Sequence, residues 1–366
     1  MDEVITRLRS SWTIVIPVIA VVAFLLTLGQ KLPLPLILVV GAILIGAVLA
    51  AVHHAEVVAH RVGEPLGSLI LAVAVTVIEV GLIITLMLSS KGDTSTLARD
   101  TAFAAVMITG NGIVGLSLLL GSVRHTLPRF NPEGTGAALG VVATLTTLTL
   151  VLPTFTTSAS GGRFTGGQLA FVAIAAIALY AAFVAMQTGR HRDFFLPVSK
   201  AGEKIDGEAH ATPPTNRATL LSAVLLLGSL VAVVGLAKAV SPAIESGVEA
   251  AGIPNSFVGV VIALLVLLPE GLAASRAALR DRVQTSLNLA YGSAIASIGL
   301  TIPAIAVASI FIPGPLVLGL GPVQIVLLAL TVIVGTLTVI PGRATRLQGV
   351  VHLIILAAFV FLAISP

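Results

Sequence analysis

The sequence predicts an all-α polytopic membrane protein of eleven transmembrane helices: an N-terminal extra helix followed by two groups of five. Three observations predict it. Of 366 residues, 57% are hydrophobic and only 10% are charged, whereas a water-soluble domain carries about 25% charged residues. Apolar runs long enough to cross a bilayer, about 20 residues each, recur along the whole chain. Lysine and arginine are shared unequally between the alternate loops that those runs define. With too little polar surface to face water, the chain takes the lipid bilayer as its solvent. Backbone groups in lipid must be bonded internally, which makes the runs helices rather than strands.

The spans are read at residues 13–29, 33–52, 66–89, 98–121, 134–152, 168–187, 217–240, 256–275, 285–311, 317–340 and 347–364. The first follows a short charged head, Met1 to Ser10, and lacks a small-residue cleavage site, so it is read as a retained helix. One side of the membrane collects Arg7, Arg9, Arg61, Arg124, Arg129, Arg190, Arg192, Lys200, Lys204, Arg217, Arg276, Arg280, Arg282, Arg343 and Arg346. The other has Lys31, Lys91, Arg99, Arg163 and Lys238. Fifteen against five puts the N-terminus in the cytosol and the C-terminus outside. The net charge of +4 is explained by that asymmetry and is too small and dispersed for a nucleic-acid partner. Cysteine is absent, which excludes a disulfide framework or a thiolate metal site.

The polar segment at residues 190–216, with its Gly, Pro, Ser and mixed charges, reads as a flexible cytosolic linker. It separates an extra N-terminal helix (1–32) and a first five-helix repeat (33–189) from a second (217–366). Five is odd, so equivalent helices of the two halves enter the membrane from opposite sides. Parity therefore permits the inverted repeat, a common transporter architecture.

Most acidic residues fall in loops or at helix ends, but Glu79 and Glu270 do not. Glu79 sits within the apolar run Leu66 to Met87, and Glu270 within Val258 to Ala274. Each is the second helix of its half, about 20 Å in at ~1.5 Å per residue, which is near the bilayer midplane. An ionised acid there costs on the order of 2.5–3.5 kcal/mol even on insertion scales. No lysine or arginine lies at matching depth, which leaves protonation or a bound cation. Protons and a cation compete for the same oxygens, since burial favours the protonated form and a bound cation the ionised one. A site alternating between them is a cation/proton exchanger. The competing reading makes each Glu a neutral, hydrogen-bonded packing residue. Two carboxylates neutralise one divalent ion, so charge balance gives about two protons per calcium.

Calcium takes six to eight oxygens, and further donors are at hand. Pro269 has no N–H to give the carbonyl of Leu265, which is left free beside Glu270. Thr76 lies one turn before Glu79. The next helices add Thr109 and Asn111 in the first half and Ser293 and Ser297 in the second, although a membrane Ser or Thr more often bonds its own backbone. Gly110-Asn-Gly-Ile-Val-Gly115 matches a dinucleotide fingerprint letter for letter. It follows no strand and lies within a span, so its glycines are assigned to close helix approach or unwinding. His54-Ala-Glu56 with His60 lacks the order and spacing of a zinc-protease motif. His53, His54, Glu56, His60 and Glu64 form a polar collar at the cytosolic edge. It reads as a solvated interface or, more sharply, as an ion vestibule or pH sensor. His352, in the last helix, reads as a packed or hydrogen-bonded core residue.

Several of these segments resemble the bacterial calcium/proton antiporters of the cation/calcium exchanger superfamily. They are His54-Ala-Glu-Val-Val-Ala-His-Arg-Val-Gly-Glu-Pro65, Val75-Thr-Val-Ile-Glu79, Val266-Leu-Leu-Pro-Glu270-Gly and Ser286 to Thr301. Arg99-Asp-Thr-Ala-Phe103 and Gln187 to Phe195 look similar to the same branch. The resemblance covers the chain from His53 onward. It implies a bacterial inner-membrane transporter with a ten-helix core of two inverted repeats plus an extra helix. Glu79 and Glu270 would bind the ion and carry protons. Asn111 matches the family's ion-site asparagine, and Ser293 and Ser297 match a second-repeat serine and the position one turn on. Sodium/calcium exchangers of the superfamily place an acid where Ser297 stands, and the serine favours proton over multi-sodium coupling. The Gly-Asn-Ala-x-Glu signature of plant and fungal relatives is absent, and the short linker carries no acidic helix or calcium-sensing domain.

The expectation is therefore an antiporter that exchanges cytosolic calcium for external protons by alternating access, with no resident cofactor and no enzymatic reaction. Its partners are the bilayer, the transported cations and protons. The alternative on the same fold moves sodium or potassium against protons, and a passive cation channel ranks below it. A membrane-embedded hydrolase finds no Ser/His, HExxH or paired-Asp arrangement at depth to support it.

Overall fold

Turn chemistry, more than hydropathy, decides where the helices stop. A computed structural model describes the chain except for residues 1, 31, 64–65, 90–91, 125–126, 197–213 and 313. Eleven long helices run through the described residues. They are α1 (Asp2–Thr27), α2 (Leu34–Val62), α3 (Leu66–Ser89), α4 (Leu97–Val123), α5 (Pro132–Phe155) and α6 (Gly166–Thr188). After the linker follow α7 (Asn216–Ala250), α8 (Phe257–Leu279), α9 (Val283–Ala308), α10 (Pro322–Val339) and α11 (Arg346–Ile364). Ten of them, α2 to α11, are long and apolar enough to cross a membrane, and α1 adds a shorter apolar stretch, Ser11–Thr27. Most of the linker lies outside the described residues.

The apolar runs end before several helices do. α2 continues ten residues past its predicted end at 52, through the polar collar, because no breaker intervenes before Gly63. That glycine adopts φ 75°, a left-handed conformation that suits glycine, and its N–H bonds the carbonyl of Ala59. α7 likewise runs beyond 240 to Ala250 and stops at Gly252, φ 67°. At α10 the error has the other sign. The apolar stretch before Pro322 is not helical; Val317, Leu318 and Leu320 donate their N–H groups to the carbonyls of Ser95, Gly162 and Leu150. Leu318 and Leu320 are each 1% exposed, so hydropathy alone cannot separate this buried strap from a helix.

Two long helices are locally π-helical. In α4 the segment Ile108–Ile113 widens the helix around Asn111, and in α5 the segment Thr147–Val151 does so just before Pro153. A proline has no N–H to continue the ladder, which accounts for the second widening. The first has a Gly on either side of Asn111 and no proline. Single π turns of this kind cluster at functional sites.

The helices group into two compact units that interleave the halves of the sequence. The first comprises Met1–Thr94 and Thr212–Gly252 and so holds α1, α2, α3 and α7. In it α2 is central, packed on α1, α3 and α7 through Ala47, Ala50, Ala51 and Ala55, none of them exposed. Small side chains let helices approach where lipid offers no hydrophobic drive. Leu220, Val224, Leu227 and Val231 line the outer side of α7 at helical spacing, between 58% and 68% exposed, as a lipid-facing stripe. The second unit, Ser95–Ala211 and Ile253–Pro366, holds α4, α5, α6 and α8 to α11. Its buried centre is α4 and α9, with Phe103, Met107, Leu118, Leu287, Tyr291 and Ile295 each at most 2% exposed.

Candidate functional site

Glu79 and Glu270 each stand thirteen residues past the first residue of their helix, Leu66 in α3 and Phe257 in α8. In the first unit Glu79 is 2% exposed, with apolar Ile78 and Leu82 on the same helix also buried. Thr76, one turn earlier, is buried and its hydroxyl donates to the carbonyl of Ala72 at 2.8 Å. A threonine whose proton is spent on its own helix keeps oxygen lone pairs for another partner.

In the second unit Glu270 is half-buried, its Oε2 atom wholly enclosed, directly after Pro269 in the helix interior. Its helix α8 packs on both α9 and the π-helical segment of α4, and those two pack on each other. A Cβ on Gly271 would lie 3.8 Å from Ile113, which ties the turn of Glu270 to that segment. The unit thus gathers Glu270, Asn111, Ser293 and Ser297 on three mutually packed elements. Asn111 is fully buried, Ser297 is 6% exposed and Ser293 is half-buried. Thr109 is also fully buried, but its hydroxyl turns back to Ala105 O at 2.7 Å. Carboxylate, amide and hydroxyl oxygens are the donor types that suit a hard cation. Among the described residues no group of three or more His, Cys, Asp or Glu converges on one point.

The amide of Asn111 is held at both ends. Its Nδ2 donates to Thr331 Oγ1 at 2.8 Å, and its Oδ1 lies 3.2 Å from His352 Nδ1. His352, expected as a hydrogen-bonded core residue, is fully buried and also bonds Thr338 at 3.1 Å.

The family model described as sodium/calcium exchanger protein matches residues 32–189 and 221–365. The chain belongs to that family. The exchanger is 46% identical over 362 residues to protein y4hA of Sinorhizobium fredii, covering 97% of this chain and 96% of that one. It is 33% identical over 363 residues to the sodium-potassium/proton antiporter ChaA of Escherichia coli, covering 98% and 97%. Its fold is that of YfkE, a Ca2+/H+ antiporter, with a TM-score of 0.72 at 16% identity over 97% of this chain and all of that one. The exchanger is therefore a multi-pass membrane transporter of the cation/calcium exchanger superfamily.

The collar of the exchanger divides when seen in three dimensions. His54 is 3% exposed, with Nε2 on the carbonyl of Thr13 at 2.7 Å and Nδ1 3.1 Å from Ser222 Oγ. It joins α2 to α1 and α7 within the first unit. His53 is half-buried beside Trp12, ring centroids 6.4 Å apart, while Glu56 and His60 are exposed. Glu64 lies outside the described residues.

One charged pair was missed in the sequence. Asp100, read as a helix-end acid, is 4% exposed and accepts from Arg99 Nε at 2.8 Å and Thr96 Oγ1 at 2.8 Å. Arg99 also donates to the carbonyl of Gly319 at 3.1 Å. The pair lines a cavity of about 310 Å³ with Phe103, Gln324 and Phe359. Its sequence signal was adjacency of opposite charges at the start of a span.

Proposed function

We propose that this exchanger is a proton-coupled cation antiporter whose two midplane glutamates, Glu79 and Glu270, take up calcium from the cytosol and protons from outside in alternation. The observation that carries the reading is the matched depth of the two carboxylates, thirteen residues into the second helix of each half. A carboxylate in a span must be neutralised, and at each step either protons or a cation does so. Competition for the same oxygens then makes the transport an exchange. Calcium requires six to eight oxygens, and the donors proposed beside the carboxylates are Thr76, Asn111, Ser293 and Ser297, with the Leu265 carbonyl that Pro269 leaves free. The empty, doubly charged site is the form that must not cross, and that restriction couples the two fluxes.

A second reading has its own support. ChaA, a full-length relative at 33% identity, is a sodium-potassium/proton antiporter, which favours sodium or potassium as cargo on the same carboxylates. Everted vesicles holding an acid interior separate the two. Addition of calcium, sodium or potassium outside should release internal protons, and the order of half-saturating concentrations names the cargo. If none of the three releases protons, the antiport reading fails. The cytosolic N-terminus, the external C-terminus and the inner-membrane location belong to the same proposal; the orientation is read from the fifteen-to-five distribution of basic residues and the location from the family resemblance.

A further inference from the structure

We propose that His352 is a positioning residue that fixes the orientation of the Asn111 amide so that its oxygen, not its nitrogen, is presented to the cation. The inference rests on Asn111 as a cation ligand, the reading given above. Its basis is a closed hydrogen-bond account. The hydroxyl of Thr331 has one proton, and the shorter of its two acceptor contacts is the carbonyl of Leu327 at 2.8 Å, against 3.6 Å to the weak acceptor Met107 Sδ. Thr331 can therefore only accept from Asn111, which places the amide nitrogen at Thr331 and the amide oxygen at His352. An amide oxygen cannot donate, so the ring must donate from Nδ1. A neutral ring that donates from Nδ1 has a lone pair on Nε2, and that lone pair accepts from the hydroxyl of Thr338 at 3.1 Å.

The result is a one-way chain from Thr338 through His352 and Asn111 to Thr331 and Leu327. All four polar side chains are at most 4% exposed, so no water competes for their bonds. An amide oxygen carries two lone pairs. His352 takes one and leaves the other for an ion. An amide free to flip would turn its NH₂ toward the cation instead. The chain forms because α11 lies unusually close to α4: a Cβ on Gly115 would lie 2.9 Å from both Gly349 O and His352 Cβ.

Two measurements on the full chain test this. In proteoliposomes, His352→Leu should raise the half-saturating cation concentration about tenfold, the effect of losing one good hydrogen bond, with the maximal rate kept. His352→Asn, which retains a donor near Nδ1, should stay within about threefold. In an Asn111→Ala background, His352→Leu should add nothing, because both act through one amide. Additive effects would overturn the proposal while leaving Asn111 a ligand. No effect of Asn111→Ala itself would remove Asn111 from the site and the proposal with it. The second measurement needs no transport. ¹⁵N-histidine NMR of the protein in lipid, with His352→Asn as the difference control, should show His352 neutral and protonated on Nδ1. Protonation on Nε2 would overturn the chain whatever the protein carries.

Discussion

Gly115 and Gly349 meet backbone to backbone, a Cβ on either falling 2.9 Å from the carbonyl oxygen of the other. This contact brings α11 onto the π-helical part of α4 and sets His352 beside Asn111. Neither glycine has a positive φ; both are there for closeness, the use small residues have between membrane helices.

Enlarging that contact should therefore cost both stability and affinity. Gly349→Val is expected to destabilise by about 1–3 kcal/mol through overpacking and to raise the half-saturating cation concentration. Thermal unfolding in detergent together with vesicle flux checks it. An unchanged melting midpoint would mean that the two helices part easily.

Much of this arrangement was legible in the residues. The span predicted at 66–89 coincides with α3, Leu66–Ser89, because an unbroken apolar run flanked by polar residues leaves little choice. The place of Glu79 and Glu270 within the interior of their helices was readable for the same reason. What failed to show was whatever depends on non-local partners. α2 outran its apolar run because His53, His54 and His60 are tolerated in a helix until Gly63 ends it. The π turn at Asn111 has no signature beyond its two glycines. The link to His352 spans 241 residues, beyond any periodicity, and Asp100 looked like a terminal acid because Gly259 of the distant α8 packs against it, a Cβ there falling 3.0 Å from Asp100 Cβ.

Glu79→Gln and Glu270→Gln should each reduce exchange to background while the melting midpoint stays within a few degrees. A glutamine keeps the size and hydrogen bonding of a protonated glutamate but can neither release a proton nor neutralise a cation. Retained flux in either variant would remove that residue from the coupling mechanism.

Charge balance at two carboxylates predicts electroneutral exchange, about two protons per calcium. Calcium flux at a fixed pH gradient should then be insensitive to a membrane potential set with potassium and valinomycin. A rate that responds to the potential would show that the charge moved in the two directions differs.

His54 fastens α1 and α7 to α2 through Thr13 and Ser222. His54→Leu leaves the Thr13 carbonyl buried without its donor, at a cost of about 1–3 kcal/mol. Hydrogen exchange in the Thr13 turn of α1 should accelerate, with the loss confined to the first unit. Unchanged protection there would show that the histidine does not secure the extra helix.

The most direct test of the central claim is uptake of radiolabelled calcium by proteoliposomes of the purified protein under an imposed pH gradient, with sodium and potassium as competitors. Proton-coupled calcium antiport predicts accumulation that stops when a protonophore with valinomycin collapses the gradient. Gradient-independent calcium flux, or movement of sodium or potassium with none of calcium, would contradict it.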